Sequence, residues 1–522
     1  MNTSNENISS GITFKYIKND LPASIVVFFV AVPLCLGIAL ASGAPLFSGI
    51  IAGIVGGVIV GAASGSALGV SGPAAGLAVI VLTSIASLGG NYNAFLLAVV
   101  VSGILQVAMG YLRAGFIAYF FPGSVIKGML TGIGLLIILK QFPHALGWDK
   151  DAIGDDEFFQ ADGQNTFTEI AKAIEYITPG AVFIGIISLA ILILWEKVLA
   201  HRHRIFQLIQ GPIVVVIVGI IMNIAYQNGI IGFSLAEDQV VRLPVPTSFS
   251  GFVNQFTLPD FTQFGNFEIY KIAIILAIVG SLETLLSVEA ADKLDPDKRI
   301  TPTNRELKAQ GIGNIVSGMI GGLPVTQVIV RSSANISFGA KTKLSAILHG
   351  AFLLISAITI ASLLNKIPLA SLAAILLMVG YKLAKPSLFK QMYNLGWEQF
   401  MPFIATVIAI LVSDLLKGIT FGILVGIFYT LRHSYRNSHH LKDITTNDKG
   451  QEVHHLVLAE EVSFFNKASV LQVLNEIPAN SKVIIDCSNS KSIAFDVIEL
   501  IQNFESNAKT KNIQVEKIKF NP

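Results

Sequence analysis

The chain has 522 residues, of which 52% are hydrophobic and only 13% are charged. Because a soluble globular protein carries roughly 25% charged residues, this composition excludes a water-soluble multidomain enzyme, a disordered protein and a coiled coil. With 36 Lys and Arg residues against 34 Asp and Glu residues, the formal net charge is +2, so no basic face dominates and no nucleic-acid partner is expected. The class that remains is a polytopic α-helical membrane protein, surrounded by the lipid bilayer.

Residues 1–21 are polar and lack the apolar core and small-residue cleavage site of a secretory signal peptide. We therefore expect a cytoplasmic N-terminal segment, followed by a first apolar segment that stays in the mature protein. The two cysteines, Cys35 and Cys487, belong to no CxxC pair. Neither a disulfide framework nor a zinc site is predicted.

Apolar stretches of the length that crosses a bilayer, about 20 residues, recur between Pro22 and Leu431. The strongly apolar ones lie near 22–42, 46–63, 94–112, 124–141, 177–198, 210–226, 270–290, 343–364, 399–415 and 416–431. Weaker ones, rich in Gly or other small residues, lie near 70–88, 310–321, 326–338 and 367–383. We predict a transmembrane domain of about fourteen segments over residues 22–433.

Basic residues follow the even-numbered segments, whereas an acidic loop follows the fifth. Short cytoplasmic loops carry an excess of Lys and Arg, so this pattern predicts cytoplasmic N- and C-termini and a place in the inner (plasma) membrane. The basic residues are Arg113, His201, Arg202, His203, Arg204, Lys293, Lys298, Arg299, Arg305, Lys308, Lys382, Lys385, Lys390, Arg432 and Arg436. The acidic ones are Asp149, Asp151, Asp155, Asp156 and Glu157.

After Leu431 the composition changes, because residues 437–522 contain no spanning segment and a normal share of charge. The pattern predicts strands at 455–459, 482–486 and 515–520 and helices at 468–477 and 495–505. We therefore predict a small cytoplasmic α/β domain over 437–522.

Two of the weak segments begin with Gly and Pro and are too short to span a bilayer. They read Gly69-Val-Ser-Gly-Pro-Ala-Ala-Gly76 and Gly321-Gly-Leu-Pro-Val-Thr-Gln327. Non-helical backbone at membrane depth persists only where it lines a cavity or is buried in protein, and matched interruptions in two halves of a transporter indicate its binding site. A helix that starts in mid-membrane directs unpaired N–H groups and a partial positive charge outward. The alternatives are an anion site between the two helix starts or two ordinary kinked helices.

Two charged residues lie at membrane depth. Glu283 sits inside an apolar helix, where an ionisable side chain indicates function by default, and Ser287 follows four residues later on the same face. Arg331 follows the second interruption and is expected to project towards the same cavity. The alternative is that Glu283 pairs with Arg331 or Lys127 only to hold the helices together. Glu289 lies nearer the cytoplasm and is expected to be structural.

Several motifs together resemble the sulfate permease family (SulP, solute carrier 26). They are the run Asn304-Arg-Glu-Leu-Lys-Ala-Gln-Gly-Ile-Gly-Asn314, then Gly321-Gly-Leu-Pro324, Arg331 and Gly339-Ala-Lys-Thr-Lys-Leu344, with Pro33 and Ser71-Gly-Pro73 further upstream. The resemblance covers nearly the whole chain and includes a C-terminal STAS-like domain. It implies seven-plus-seven inverted repeats that form a core and a gate domain. It also implies a homodimer that moves small anions, such as sulfate, bicarbonate, chloride or dicarboxylates, by an elevator-like motion of the core.

The resemblance also implies where the ligands bind. The substrate would lie between the starts of segments three and ten, at Ser71, Gly72, Pro73, Ala74, Thr326, Gln327, Val328 and Arg331. The coupling ion would lie at Glu283, Ser287 and Ser71, the region where sodium-coupled bicarbonate transporters hold their cation. Sodium at Glu283 and Ser287 is thus the one expected bound ion, and no other cofactor is expected.

Three departures from the family pattern matter. Leu34 replaces the Gln that often follows Pro33, so one polar contact is missing. The stretch 325–328 is bulkier than in the bicarbonate branch, which weakens the case for sodium coordination by its backbone. The stretch 493–496 lacks the customary phosphorylatable residue, so the STAS-like domain is expected to support a dimer or bind a cytoplasmic protein partner.

From the sequence we predict a secondary active transporter of a small inorganic anion of the sulfate or bicarbonate class, coupled to sodium or protons, and not an enzyme. A nucleobase permease of related fold and a passive anion channel are the alternatives, as is a scaffold whose C-terminal domain docks a soluble enzyme. Helix starts and an arginine attract negative charge without selecting one anion, so the residues do not separate sulfate from bicarbonate.

Overall fold

The computed structural model describes residues 13–149, 165–199, 202, 206, 210–243, 249–359, 361–436, 439–441, 445–446 and 451–520. The predicted acidic residues Asp151, Asp155, Asp156 and Glu157 lie outside these residues, as do His201, His203 and Arg204. Contacts divide the chain into one unit that ends at Ile423 and a second that begins at Leu424.

Each of the fourteen predicted segments contains a helix in the described part of the chain. In order, α1 to α14 are Ile17–Ala41, Leu46–Ala63, Ala78–Ser87, Tyr92–Tyr111, Gly123–Leu146, Pro179–Leu199, Gly211–Gln227, Phe267–Leu294, Thr303–Met319, Ile329–Ser337, Leu344–Thr359, Leu369–Leu383, Trp397–Val412 and Leu415–Arg436. Short helices at Thr166–Glu175, Phe249–Val253, Ala361–Leu364 and Pro386–Asn394 connect them.

Within the described residues, eight helices are long and apolar enough to cross a membrane, and four shorter apolar helices accompany them. The third and tenth helices are short because each is preceded by a strand instead of a further helical turn. These strands are β1 (Ser71–Pro73) and β2 (Val325–Gln327). The predicted interruptions are therefore extended backbone, and the stretch 325–328, interpreted from the sequence as a turn, is a strand that leads into α10.

The start of α9 differs from the prediction. The helix begins at Thr303, so Arg305 and Lys308, predicted as loop residues, are helical. The first turns of α9 carry charges, which made them resemble a loop in the sequence. One of these charges, Glu306, is fully buried.

A π-helical turn at Gly56–Val60 interrupts α2. A Cβ atom on Gly56 would lie 2.3 Å from the carbonyl oxygen of Ser71. Glycine is therefore required here, because α2 and β1 pack backbone against backbone.

The C-terminal unit contains a sheet in the strand order β3-β5-β7-β9, with β4 paired to β5. The strands β3 to β9 are His439–Leu441, Thr445–Thr446, Glu452–Leu458, Glu461–Val462, Lys482–Asp486, Ser492–Ile493 and Gln514–Ile518. Helices α15 (Lys467–Glu476) and α16 (Phe495–Ala508) pack on the sheet through a separate apolar core. β5, β7 and β9 run parallel. The predicted strands and helices of this α/β unit are confirmed to within a few residues.

Candidate functional site

The two interruptions meet in space. β1 pairs with β2 in antiparallel register, with Ser71 opposite Gln327 and Pro73 opposite Val325. β1 leads through a 3-10 turn at Ala75–Leu77 into α3, and β2 leads directly into α10. The structure thus brings the starts of the two half-helices together, as the paired Gly and Pro residues predicted.

Neither half-helix start is closed by a side chain. In the described part of the chain, Ala74, Leu77 and Val328 occupy the N-cap positions of the 3-10 turn, α3 and α10, and none of them makes a side-chain cap hydrogen bond. The first N–H groups of a helix have no partner within the helix, and they carry the positive end of its dipole. Both starts can therefore donate hydrogen bonds to an anion.

A cavity of about 360 Å³ lies at these starts. Its walls come from α1, Pro73 and the 75–80 region, α5, α8, the first turn of α10 and the beginning of α14, and most lining side chains are aliphatic. The charged or hydroxyl-bearing lining residues are Glu283, Ser287, Arg331, Asp414 and Lys417. Asp414 and Lys417 form an ion pair at 2.7 Å. We call this space the Arg331 cavity.

Arg331 is 1% exposed and lines this cavity. Its Nη2 donates to the Cys35 sulfur at 3.3 Å, whereas its Nη1 has no hydrogen-bond partner among the described residues. A Cβ atom on Gly72 would lie 2.1 Å from Nη1, so this glycine makes room for the guanidinium. A buried charge is costly unless it is paired, so an anion in the cavity would stabilise this guanidinium.

Glu283 and Ser287 lie one turn apart on α8, and both are buried at the cavity wall. A Cβ atom on Gly76 would lie 3.2 Å from Glu283 Oε1, so the start of the third helix packs against this carboxylate. The cavity therefore holds a fixed cation from α10 and a carboxylate from α8. Glu289, predicted to be structural, forms an ion pair with Lys293 at 3.3 Å.

The predicted site residues divide into two groups. Pro73, Val328, Arg331, Glu283 and Ser287 line the cavity. Ser71, Gly72, Ala74, Thr326 and Gln327 are buried, and the cavity lining does not include them. Leu34 also lines the cavity, so the wall has an aliphatic group where the family often has an amide.

Ser71 and Gln327 are absent from the lining because their side chains contact other parts of the protein. The two residues lie directly opposite each other in the β1–β2 pair. The Ser71 hydroxyl accepts a hydrogen bond from Gln310 Nε2 at 2.7 Å. The Gln327 amide lies against Gly69, where a Cβ atom would be 2.6 Å away. Ser71 thus contacts α9, and Gln327 contacts the 64–70 loop.

Sequence reasoning missed the side chains that hold this loop. Glu306 accepts hydrogen bonds from Ser64 Oγ at 2.5 Å, from the backbone N–H of Gly65 at 3.3 Å and from Gln310 Nε2 at 3.0 Å. Because Gln310 also donates to Ser71, the carboxylate is linked to β1. The spacing of four between Glu306 and Gln310 was the available signal, since it places both on one face of a helix.

The second strand is held in a similar way. Asn314 donates to the carbonyl of Val325 at 3.0 Å and accepts from its N–H at 2.6 Å. The Gln327 N–H donates to Thr284 Oγ1 at 3.3 Å. These contacts satisfy backbone groups that β2, a strand of three residues, cannot satisfy by itself. They fix the point at which α10 begins.

Residues 17–425 match the model of the Sulfate permease family. The chain belongs to this family. YvdB of Bacillus subtilis, named as a candidate sulfate transporter, is 28% identical over 378 residues, which are 72% of this chain and 66% of YvdB. The bicarbonate transporter BicA of Synechocystis is 26% identical over 417 residues, or 78% of this chain and 68% of BicA.

Solved structures show the same fold. The overall structure of SLC26A9 has a TM-score of 0.66 at 16% identity and covers 98% of this chain and 86% of its own. The transmembrane domain of a cyanobacterial BicA has a TM-score of 0.54 at 21% identity, over 80% of this chain and 99% of its own. The predicted membrane fold with a C-terminal STAS-like unit is confirmed, and this member of the sulfate permease family is not an enzyme.

The described residues contain no cluster of three or more His, Cys, Asp or Glu side chains able to hold a metal ion. Glu283 and Ser287 bring one carboxylate and one hydroxyl to the same wall, and hard cations prefer such oxygen ligands. Sodium binding at this pair stays a prediction.

Proposed function

We propose that this sulfate permease family member is a secondary active transporter of a small inorganic anion of the sulfate or bicarbonate class. The observation that carries this proposal is the buried Arg331 guanidinium, which lines a cavity beside two uncapped helix starts and keeps one donor unpaired. Hydrogen bonds that involve a charged group are about twice as strong as neutral ones. Arg331 and the N–H groups of α3 and α10 would hold the anion together.

The names of the relatives support both anions, since YvdB is named for sulfate and BicA for bicarbonate. The proposed mechanism is elevator-type alternating access, in which the core helices carry the site past the gate helices. Glu283 and Ser287 are proposed as the coupling site for sodium or a proton, because their oxygen atoms share the cavity with Arg331.

The orientation and assembly are also proposals. We propose a plasma-membrane protein with both termini in the cytoplasm, supported by the basic residues that follow even-numbered helices. We further propose a homodimer whose STAS-like unit stabilises the pair or binds a cytoplasmic protein.

The test is uptake of labelled sulfate and of labelled bicarbonate by proteoliposomes, with and without an inward sodium or proton gradient. We expect one of the anions to accumulate above equilibrium when one of the gradients is applied. Flux that only dissipates an anion gradient indicates a passive channel, and competition by uracil or xanthine indicates a nucleobase permease. Either result, or no flux at all, overturns the proposal.

A further inference from the structure

A second cavity lies on the other side of α10. It has a volume of about 750 Å³ and is lined by the ends of α6, α8, α10 and α12. Its charged lining residues are Glu196, Lys197, Lys382 and Lys385. An adjoining cavity of about 430 Å³ shares Lys382 and Lys385 with it and reaches Leu130 on α5. We call the two together the lysine chamber.

The lysine chamber and the Arg331 cavity are separated by a thin wall. On α10, Arg331 lines the cavity and Ser333 lines the chamber, and residues two apart on a helix face different directions. On α5, Ile133 lines the cavity and Leu130 the chamber, a separation of about 4.5 Å at 1.5 Å per residue.

The third helix that lines both spaces is α8, and it shows the largest separation between their lining residues. On α8, Ser287 lines the cavity and Leu294 the chamber, a separation of about 10 Å along the axis. One to two helical turns therefore divide the spaces along α5 and α8. The two spaces are therefore neighbours along the same helices.

The chamber carries three ammonium groups against one carboxylate. Lys382 forms an ion pair with Glu196 at 2.9 Å and lies 5.2 Å from the centre of the Phe338 ring, at the end of α10. Lys197 and Lys385 are exposed and form no ion pair within the described part of the chain. A cleft lined by one sign of charge raises the local concentration of the opposite ion.

We infer that the lysine chamber is a second anion-binding site, which holds the transported anion at one end of its path through Lys197 and Lys385. This inference rests on the proposed transport function. Lys197 and Lys385 would capture and release the anion at the end of its path. Arg331 would provide the tight binding. Lys382 shapes the chamber, because its ion pair with Glu196 keeps its ammonium group against the C-terminal end of α10.

The first test measures apparent KM for labelled sulfate and bicarbonate in right-side-out and in inverted membrane vesicles. In the double variant Lys197→Gln, Lys385→Gln we expect apparent KM to rise roughly three- to tenfold from one face only, and added salt to shrink the difference, because salt screens exposed charges. Lys390→Gln is the matched control, since Lys390 is exposed on the short helix that begins directly after Lys385 and lines neither space. Equal KM values for the double variant and the wild type on both faces overturn the inference.

A second test does not depend on transport. Lys385→Cys and Lys390→Cys are labelled in the full chain with an anionic and a neutral thiol reagent of equal size; the native Cys35 and Cys487 are buried. We expect the ratio of anionic to neutral labelling rates to be several-fold higher at position 385 than at position 390. Adding Lys197→Gln should reduce this ratio at position 385. Equal preference at both positions contradicts the chamber even if the protein transports. Preference at 385 without any transport supports the chamber and counts against the proposed function.

Discussion

The guanidinium of Arg331 lies directly over the backbone of Gly72, with Nη1 2.1 Å from the place that a Cβ atom would occupy. The two residues are more than 250 positions apart in the chain and come from the two strand–helix interruptions. The contact joins a buried positive charge of the cavity wall to the strand that precedes the other helix start. It therefore holds the guanidinium against β1.

Gly72→Ala should displace the Arg331 side chain and weaken anion binding while leaving the fold intact. We expect apparent KM to rise about tenfold, which corresponds to roughly 1.4 kcal/mol. The measurement is the concentration dependence of uptake, together with a thermal melt. Gly232→Ala is the control, because a Cβ atom there meets open space; an unchanged KM in Gly72→Ala would show that the contact does not position Arg331.

Arg331→Ala should remove the charged donor from the cavity. We expect a loss of anion affinity of roughly 1.5–3 kcal/mol, the range for a hydrogen bond to a charged group. Arg331→Lys should retain part of the anion affinity, because the positive charge remains but the planar set of guanidinium N–H donors is lost. The measurement is competition against a labelled anion. Wild-type affinity in Arg331→Ala would show that Arg331 has a structural role and does not bind the anion.

Glu283→Gln should abolish gradient-driven accumulation without unfolding the protein, since the amide has nearly the same shape but cannot carry the charge. The measurement is uptake with and without the sodium or proton gradient. Glu289→Gln serves as the control on the same helix, because Glu289 is paired with Lys293 and should keep coupled uptake. Coupled uptake in Glu283→Gln at the wild-type level contradicts the coupling role.

Glu306→Ala should destabilise the transmembrane unit. Removing the carboxylate leaves the buried donors of Ser64, Gly65 and Gln310 without this acceptor, at a cost of about 1–3 kcal/mol for a buried donor left unsatisfied. Glu306→Gln keeps an acceptor and should cost less. A thermal melt in detergent compares the variants, and equal melting temperatures would mean that the 64–70 loop has other support.

A pH-dependent contribution is expected from Asp295, in the loop after α8. Burial would raise the pKa of this carboxyl. The Arg299 side-chain hydrogen bonds at 2.7 and 3.1 Å, the backbone N–H groups of Asp297 and Arg299 and the Arg299 charge together outweigh burial and hold the pKa below its usual 3.8. Because the folded-state pKa is lowered, the stabilisation is present above the unfolded-state pKa and is lost as the pH falls through the folded-state value.

Asp295→Asn should therefore lower stability at pH 7, and the difference from wild type should vanish in strong acid. Melting temperatures across this pH range measure it. Asp297→Asn is the control, because Asp297 lies 3.7 Å from Arg299 and is more exposed. A constant difference at every pH would exclude the linkage.

The sequence predicted the parts of the site that contrast with their surroundings. Glu283 and Arg331 were found because a charge in an apolar run is rare, and the interruptions were found because Gly and Pro break helices. Glu306 was missed for the opposite reason, since it lies among other polar residues and has hydrogen-bond partners in a loop some 240 positions away. The orientation of Ser71 and Gln327 depends on the β1–β2 register, which neither segment specifies alone.

The antiparallel pairing of β1 with β2 has a consequence for how a mobile site would behave. Shared backbone hydrogen bonds hold the beginnings of α3 and α10 at one separation. The two helix starts would therefore move together as one unit when the surrounding helices shift. The paired helix starts would then bind the anion with the same geometry whichever side of the membrane they face. Any difference in apparent anion affinity between the two faces would arise from the routes that lead to the paired helix starts and not from the helix starts themselves.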